Sequence, residues 1–591
     1  MLDQPLSLTA ATEQLTAPGQ PFEMRDATVN GIAMRVWRHA PNDLGQVFAA
    51  TRRYAERDFL VYEDRRVTFE EHFLRASSAA NRLQDAGVGP GDRVCVAARN
   101  SPEWVTAFWG AVVSGAIVVP LNAWWTTDEL IYGLTDSASR VVFVDEERLE
   151  RIRPRLAELT ALTTVVVFSD DPTRPARLGN VTGPATLLDW NDFVGPLDED
   201  ASPPEHVFSP EDPVTMFYTS GTTGHPKGAI GTHRNAATNL MNLFFRSQIN
   251  SLRASPTDEG APAAEGSVQT SSLLSVPLFH ATGCLVTMMG ALVAGAKLVM
   301  MHHFDARRAL KLIERERVTS IGGVPTVAMQ ILDHPDFAQF DLSSVTSVAY
   351  GGAPAPPELV RRIGHSFPRG EAGNGYGLTE TSAGVCFNIG HDYVTRPDSC
   401  GPVVPVCDVA LVPEGYEGEE PPHRETVSPD FVGELWVKGP SVVAGYWNKP
   451  EETAKAFTAG WLHTGDVAKI DQDGFVYIVD RAKDMIIRGG ENVYSVIVEA
   501  AIFEHPDVAD CAVVGVPHPT LGEEVAAVIV PRPGRVLEAE EISRHVAARL
   551  ARFEVPTTVI FRSHALPRNP QGKVLKRELR DALSRAQSAT P

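Results

Sequence analysis

Residues 218–228 read YTSGTTGHPKG, with three glycines, four aliphatic hydroxyls and one lysine in eleven positions. Glycine tolerates positive φ and lets a backbone come close to a partner. Backbone N–H groups bared in such a loop make a concave anion site, and a lysine adds a mobile point charge. The stretch reads as a phosphate-holding loop, with a plain flexible hairpin as the alternative. Two other phosphate motifs are excluded. A P-loop has G-x-x-x-x-G-K-[ST], but here Pro226 replaces the second glycine and Gly228 follows Lys227. A dinucleotide loop has G-x-G-x-x-G, and GNGYGL at 373–378 places Leu378 at the third glycine.

Working outward, short Val/Ile-rich runs alternate with amphipathic stretches. GDRVCVAARN, GAIVVPLNA, SRVVFVDEE, TTVVVFSDD and VTSVAYGGA read as strands, several buried on both faces, while EEHFLRASSAANRLQDAG and DARRALKLIERERV have helical spacing. That alternation predicts an α/β fold, a large multi-layered N-terminal domain with mostly parallel sheets. After about Asp480 the pattern changes to SVIVEAAIFEHP (helix), VADCAVVGVP and EEVAAVIVPR (strands), AEEISRHVAARLARF (helix), TTVIFR and a basic terminal helix. This is a small α+β unit of about a hundred residues. The expected division is 1–482 and 483–591. Residues 251–270 and 412–430 are Pro/Gly-rich and polar, and read as surface loops.

At 591 residues the chain exceeds one core. A formal net charge of −21 argues against general attraction to nucleic acid or anionic membranes. The tail from Phe561 runs the other way, with seven Lys or Arg against two acidic residues, as fits either a solvated basic helix or a local anion site. Six cysteines without a C-x-x-C pair point to reduced thiols in a cytoplasmic protein. The N-terminus lacks a secretory pattern. The longest apolar stretch, from Trp104, is cut by glycine and proline into helix, turn and strand, so no membrane span is expected. His302 and His303 form no ligand-spaced cluster with other histidines.

The phosphate loop resembles that of the adenylate-forming superfamily, which contains acyl-CoA synthetases, luciferases and peptide-synthetase adenylation domains. The resemblance continues in order through PLFHATG at 277, GGAPAP at 351, NGYGLTET at 374 and GELWVKGPSVVAGYW at 433. It ends with GWLHTGD at 460, DRAKDMIIRGGENVYSVIVE at 480 and LPRNPQGKVLKRELR at 566. It covers roughly residues 50–585.

The resemblance implies a two-step reaction, in which a carboxylate attacks the α-phosphate of ATP and the acyl-adenylate then passes to the thiol of coenzyme A. Thr219, Ser220, Gly221, Thr222, Thr223, Gly224 and Lys227 would hold the β- and γ-phosphates. Glu380 would ligate Mg2+, with Thr379 on phosphate. The alternative for Glu380 is a carboxylate opening a helix through TSAGVCFN. Asn374, Gly375, Tyr376 and Gly377 would flank adenine, with Tyr376 as the stacked ring and Gly352, Ala353 and Pro354 on the other side. Asp466 and Arg481 would take the ribose. Lys573 would be the catalytic lysine, with Lys576 and Arg577 as surface charges. Lys483 occupies the hinge position about which the small domain turns between steps. Gly489, Gly490 and Glu491 would then line the path of the thiol, and His280 would gate the acyl pocket.

No acidic residue stands near PLFHATG to hold an amino group, and no carrier domain follows. This favours a free-standing CoA ligase. Small residues (Ala281, Thr282, Gly283, Gly322, Gly323, Gly351) leave room for an apolar tail, and the look is nearest bacterial medium- and long-chain fatty-acyl-CoA ligases. Aryl and steroid side-chain acids are the alternatives, as is loading of a carrier protein; a non-catalytic relative is disfavoured because Lys227, Glu380, Asp466 and Lys573 are all present. A homodimer would be unsurprising.

Overall fold

The computed structural model describes residues 6–171, 173–180, 183, 185–219, 225–253, 269–353, 355, 357–413, 415–422, 431–569 and 573–588. Its large N-terminal part contains two mostly parallel sheets. The first has seven strands in the spatial order Lys227–Thr232, Pro213–Thr219, Ile117–Pro120, Arg93–Ala97, Val141–Asp145, Thr164–Phe168, Thr186–Asp189. All neighbours are parallel except the first two, which form an antiparallel pair. The strands Val141–Asp145 and Thr164–Phe168 are buried at every position, which is why they read as unbroken apolar runs.

The second sheet has eight strands in the order Ala383–Ile389, Glu371–Leu378, Ser347–Gly351, Ser320–Gly323, Ser271–Leu274, Lys297–Met300, Asp58–Tyr62, Arg65–Thr68, parallel inside and antiparallel at both ends. One core runs between the sheets through helices Phe69–Asp85 and Pro102–Val113. The stretch from Trp104 resolves as expected. Ser101 caps the helix by accepting from the Trp104 N–H, Pro102 occupies its first turn, and Gly115 at φ 86° leads to the strand Ile117–Pro120. Trp104, Phe108 and Trp109 are fully buried, each contributing roughly 1.5–3 kcal/mol.

An antiparallel sheet follows, ordered Gly401–Pro402, Phe475–Arg481, Trp461–Ile470, Gly433–Lys438, Asp408–Val412. The small C-terminal domain is built on a further sheet, Glu491–Val493, Ile486–Arg488, Gly522–Pro531, Val508–His518, with Thr558–Phe561 beside Gly522–Pro531. Helices Ser495–Phe503 and Ala539–Ala547 cover one face, burying Val498, Ile502, Ile542 and Val546, while Lys576–Ser588 covers the other through Leu579.

Three expectations change. The segment TSAGVCFN is not a helix. A single 3-10 turn at Thr379–Thr381 leads into the strand Ala383–Ile389, so Glu380 opens no helix. The helix His233–Arg253 extends into the segment expected to be a loop at 251–270, of which residues 254–268 lie outside the described residues, as do 414 and 423–430 of the second loop. Lys576 is not a surface charge. Its side chain is 16% exposed and ion-paired to Glu499 at 2.7 Å, because the terminal helix lies on the sheet; Arg577, at 82%, does face solvent. Residues 6–40 contain a helix, Leu8–Thr16, and a hairpin, Met24–Val29 with Ile32–Trp37, against the helix His233–Arg253. All six cysteines are free, and among the described residues no helix is long and apolar enough to cross a membrane.

Candidate active site

The register of the antiparallel pairs positions the site. Thr219 pairs with Lys227 in the antiparallel pair at the edge of the first sheet. Ser220, Gly221, Thr222, Thr223 and Gly224 lie outside the described residues, as does Pro354. Lys227 Nζ reaches Glu452 at 2.7 Å and stands 5.0 Å from the Tyr446 ring centroid. Tyr446 in turn donates its hydroxyl to Glu380 Oε1 at 2.8 Å. Burial first, then the Glu380 charge, push the Tyr446 phenol far up, so it remains a donor. The lysine and carboxylate expected at the phosphates and the metal are thus linked through Tyr446, with Glu452 paired to the lysine.

A second group lies at the end of the other sheet. Tyr376 donates to Asp466 Oδ2 at 2.7 Å, and Arg481 Nε meets Asp466 Oδ1 at 3.1 Å. Asp466 and Arg481 are direct cross-strand partners, which explains their meeting despite lying fifteen residues apart. Asp466 is 3% exposed. Burial and then Asp466 raise the Tyr376 phenol well above its usual range. Beside Tyr376, Gly375 pairs with Gly351, and a Cβ on Gly351 would come 2.5 Å from the Gly375 carbonyl oxygen. Bare backbone here lets the ends of the two strands approach closely, and Gly352, at φ 74°, turns the chain out of the strand.

Lys573 joins this second group. Its N–H donates to Asn569 Oδ1 at 2.9 Å and its carbonyl accepts from Asn569 N–H at 2.8 Å, closing the loop that carries it. Burial, reinforced by Arg481 and only partly offset by Asp466, lowers the Lys573 ammonium to about 7. Lys483 is exposed in the turn after Arg481, where the Asp484 and Met485 N–H groups both donate to the Arg481 carbonyl. Gly489 and Gly490, at φ 62° and 89°, form a two-residue hairpin turn between Arg488 and Glu491. These glycines and Glu491 are exposed. His280 packs edge-on to Phe279 at 4.5 Å and precedes a π-helical turn, Thr282–Met288. Burial lowers its imidazole to about 3, so it is neutral at ordinary pH.

Sequence reasoning assigned no role to Tyr446 or Glu452. Tyr446 lay inside a quoted motif, GELWVKGPSVVAGYW, as an aromatic beside a glycine; Glu452 gave no local signal. Among the described residues no group of three His, Cys, Asp or Glu could hold a metal alone. A single carboxylate such as Glu380 suits Mg2+ arriving with phosphate oxygens, since that ion is held by one or two carboxylates plus substrate phosphates.

With this geometry in place, the comparisons are specific. The AMP-binding enzyme family matches residues 47–447, and its C-terminal domain family matches 497–573. Feruloyl-CoA synthase from Amycolatopsis sp is 36% identical over 515 residues, covering 87% of this chain and 93% of that protein. The long-chain-fatty-acid–CoA ligase FadD13 of Mycobacterium tuberculosis is 33% identical over 525 residues, covering 88% and 94%. The anthranilate CoA ligase AuaEII, solved with anthranoyl-AMP, superposes with a TM-score of 0.79 at 25% identity, covering 93% and 99%. The chain belongs to the AMP-binding enzyme family, as an AMP-forming acyl-CoA synthetase. Enzymes of this class use ATP and coenzyme A, with Mg2+ as the usual ion.

Proposed function

We propose that the protein is a cytoplasmic fatty-acid–CoA ligase, taking a medium- or long-chain acid. The observation that carries the reaction is the Asp466–Arg481 pair with the Lys573 amine within its electrostatic reach. In the first step a carboxylate oxygen bonds to the α-phosphorus of ATP and pyrophosphate leaves. Two anions meet, so fixed positive groups are needed where charge develops. Lys573 reaches the bridging oxygen and the carboxylate, Asp466 accepts from the ribose hydroxyls, and Arg481 holds Asp466 in place. Lys227 leaves Glu452 for the β- and γ-phosphates, together with the hydroxyls of 219–223. Mg2+, held by Glu380 with Thr379 nearby, would neutralise phosphate charge. Tyr376 and its neighbours on both strands flank adenine.

In the second step the thiol of coenzyme A bonds to the acyl carbon and AMP leaves. The domain boundary falls between residues 482 and 483, and Lys483 is the hinge that lets the Gly489–Glu491 hairpin approach. This placement is supported by the antiparallel sheet ending at Arg481 and the small domain's sheet beginning at Ile486. His280, neutral, gates by shape and not by charge.

FadD13 and the small residues along the strand ends favour a fatty acid; the higher identity to feruloyl-CoA synthase favours an aryl acid as the second reading. The test is a mass-spectrometric panel of fatty, aryl and steroid acids with ATP and Mg2+, each with and without coenzyme A. AMP plus a fatty acyl thioester is the expected outcome. Turnover confined to hydroxycinnamates would replace the fatty acid with an aryl acid, and an adenylate indifferent to coenzyme A would point to a carrier protein.

A further inference from the structure

Three residues beyond Lys573, the side chain of Lys576 turns into the small domain and meets a chain of buried polar groups. Its Nζ lies 2.7 Å from Glu499 Oε1 and donates to Ser495 Oγ at 2.7 Å. Ser495 Oγ donates to Asp480 Oδ1 at 3.1 Å, and the Ser495 N–H donates to Asp480 Oδ2. Asp480 Oδ1 also accepts the N–H of Arg481 at 2.7 Å. Glu499 accepts from the Val513 N–H at 2.8 Å. Asp480 and Ser495 are 1% and 0% exposed. A largely buried lysine facing one partly buried and one fully buried carboxylate is costly to break, so the arrangement fixes geometry more than it adds stability.

The placement of this chain matters. Asp480 belongs to the strand Phe475–Arg481 and adjoins Arg481, the partner of Asp466. Ser495, Glu499 and Lys576 belong to the small domain, on the far side of the turn at Lys483. Only Val574 and Leu575 separate Lys576 from Lys573, and both are tied down, Val574 by a bridge to Arg568 and Leu575 by its N–H to the Pro567 carbonyl at 2.8 Å. We propose that Lys576 is a positioning residue for Lys573: gripped by Glu499 and, through Ser495, by Asp480, it fixes the lysine-bearing loop against the strand that carries Arg481. Its role in the ATP-consuming step rests on the ligase reading given above; its grip on Lys573 does not.

The experiment uses the full-length, ligand-free chain. Amine labelling across a pH series, read by mass spectrometry on the peptide containing Lys573, reports the pH at which that amine loses its proton. The wild-type midpoint is expected at about 7. Lys576→Met, which removes the grip, and Ser495→Ala, which removes only the bridging hydroxyl, raise it by about one unit or more as the loop loosens into solvent. Lys576→Arg keeps it near the wild-type value. Variants that melt earlier but leave the midpoint unmoved would show a structural role only and overturn the proposal, as would a wild-type midpoint in the ordinary lysine range. A second readout is ATP–pyrophosphate exchange, expected to fall by up to about 10²-fold in Lys576→Met with ATP affinity little changed. A moved midpoint in a protein that exchanges with no acid would defeat the ligase reading and leave the latch standing.

Discussion

Lys573 offers the sharpest test of how the site works. Burial comes first among the forces on it, followed by the Arg481 charge, with Asp466 pulling the other way and Lys483 adding to the push; the net result is about 7 against an ordinary 10.5. At pH 8.5 this partly buried amine would be ~97% neutral, whereas an ordinary lysine would be ~1% neutral. The unfolded chain binds the extra proton between those two values, so the lysine's docking is penalised fully below pH 7 and the penalty fades as pH rises toward 10.5. Substrates reverse the balance. ATP and a carboxylate bring negative charge to within reach, so the amine regains its proton on binding and becomes the cation the reaction needs. Binding of a non-hydrolysable ATP analogue with the acid at pH 8.5 is therefore expected to take up close to one proton. Calorimetry in buffers of different ionisation enthalpy measures that uptake, and the labelling midpoint rises in parallel. An uptake near zero, with a ligand-free midpoint above about 9, would falsify the account of a desolvated lysine recharged by substrate.

Other outcomes follow from the same contacts. Lys573→Ala is expected to lower adenylate formation by about 10²–10³-fold while ATP still binds, as equilibrium binding can check. Tyr376→Phe strips a hydrogen bond from the buried Asp466 carboxylate, a loss of about 1.5–3 kcal/mol that thermal or denaturant melting should register. The same variant should weaken kcat/KM for ATP, since Asp466 loses the group that orients it. Glu452→Gln releases Lys227 from a half-exposed ion pair, so KM for ATP should fall by about two- to five-fold; a rise would mean that Glu452 presents the lysine and does not compete for it.

Much of the architecture was legible because parallel strands buried on both faces leave unbroken valine runs, as in Val141–Asp145 and Thr164–Phe168. The stretch at 218–228 stands out in the sequence for a different reason, since glycines and hydroxyls concentrate where a backbone must approach an anion, although 220–224 lie outside the described residues. What escaped depended on distant partners. Lys576 sits in a basic tail and reads as solvated, and only its partners Glu499 and Ser495, far upstream, show it turned inward. Glu452 and Tyr446 meet Lys227 and Glu380 across more than sixty residues in each case, with no periodicity to announce the contact. The N-terminal hairpin was different, because its signal was present. Asn30-Gly31, at φ 50° and 82°, is the favoured two-residue turn between two antiparallel strands, and it lies outside the recurrent motifs.

That hairpin bears on where the chain can be cut. Trp37, at its end, donates its indole N–H to Asn242 Oδ1 at 2.9 Å, while Asn242 also bonds the Gly384 carbonyl at 3.3 Å and Asn239, one turn back, bonds the Leu285 carbonyl at 2.9 Å. The helix carrying both asparagines starts directly after the strand Lys227–Thr232 and reaches the π-helical turn beyond His280 and the strand behind Tyr376. It is a crossbeam, and the N-terminal segment is its outer brace. A protein trimmed to begin at residue 47, where the family match starts, would keep every residue assigned to chemistry. It would nonetheless expose the aromatic face of Phe245 and leave Asn242 half-bonded, and should melt earlier than the full chain for reasons that lie outside the reacting groups.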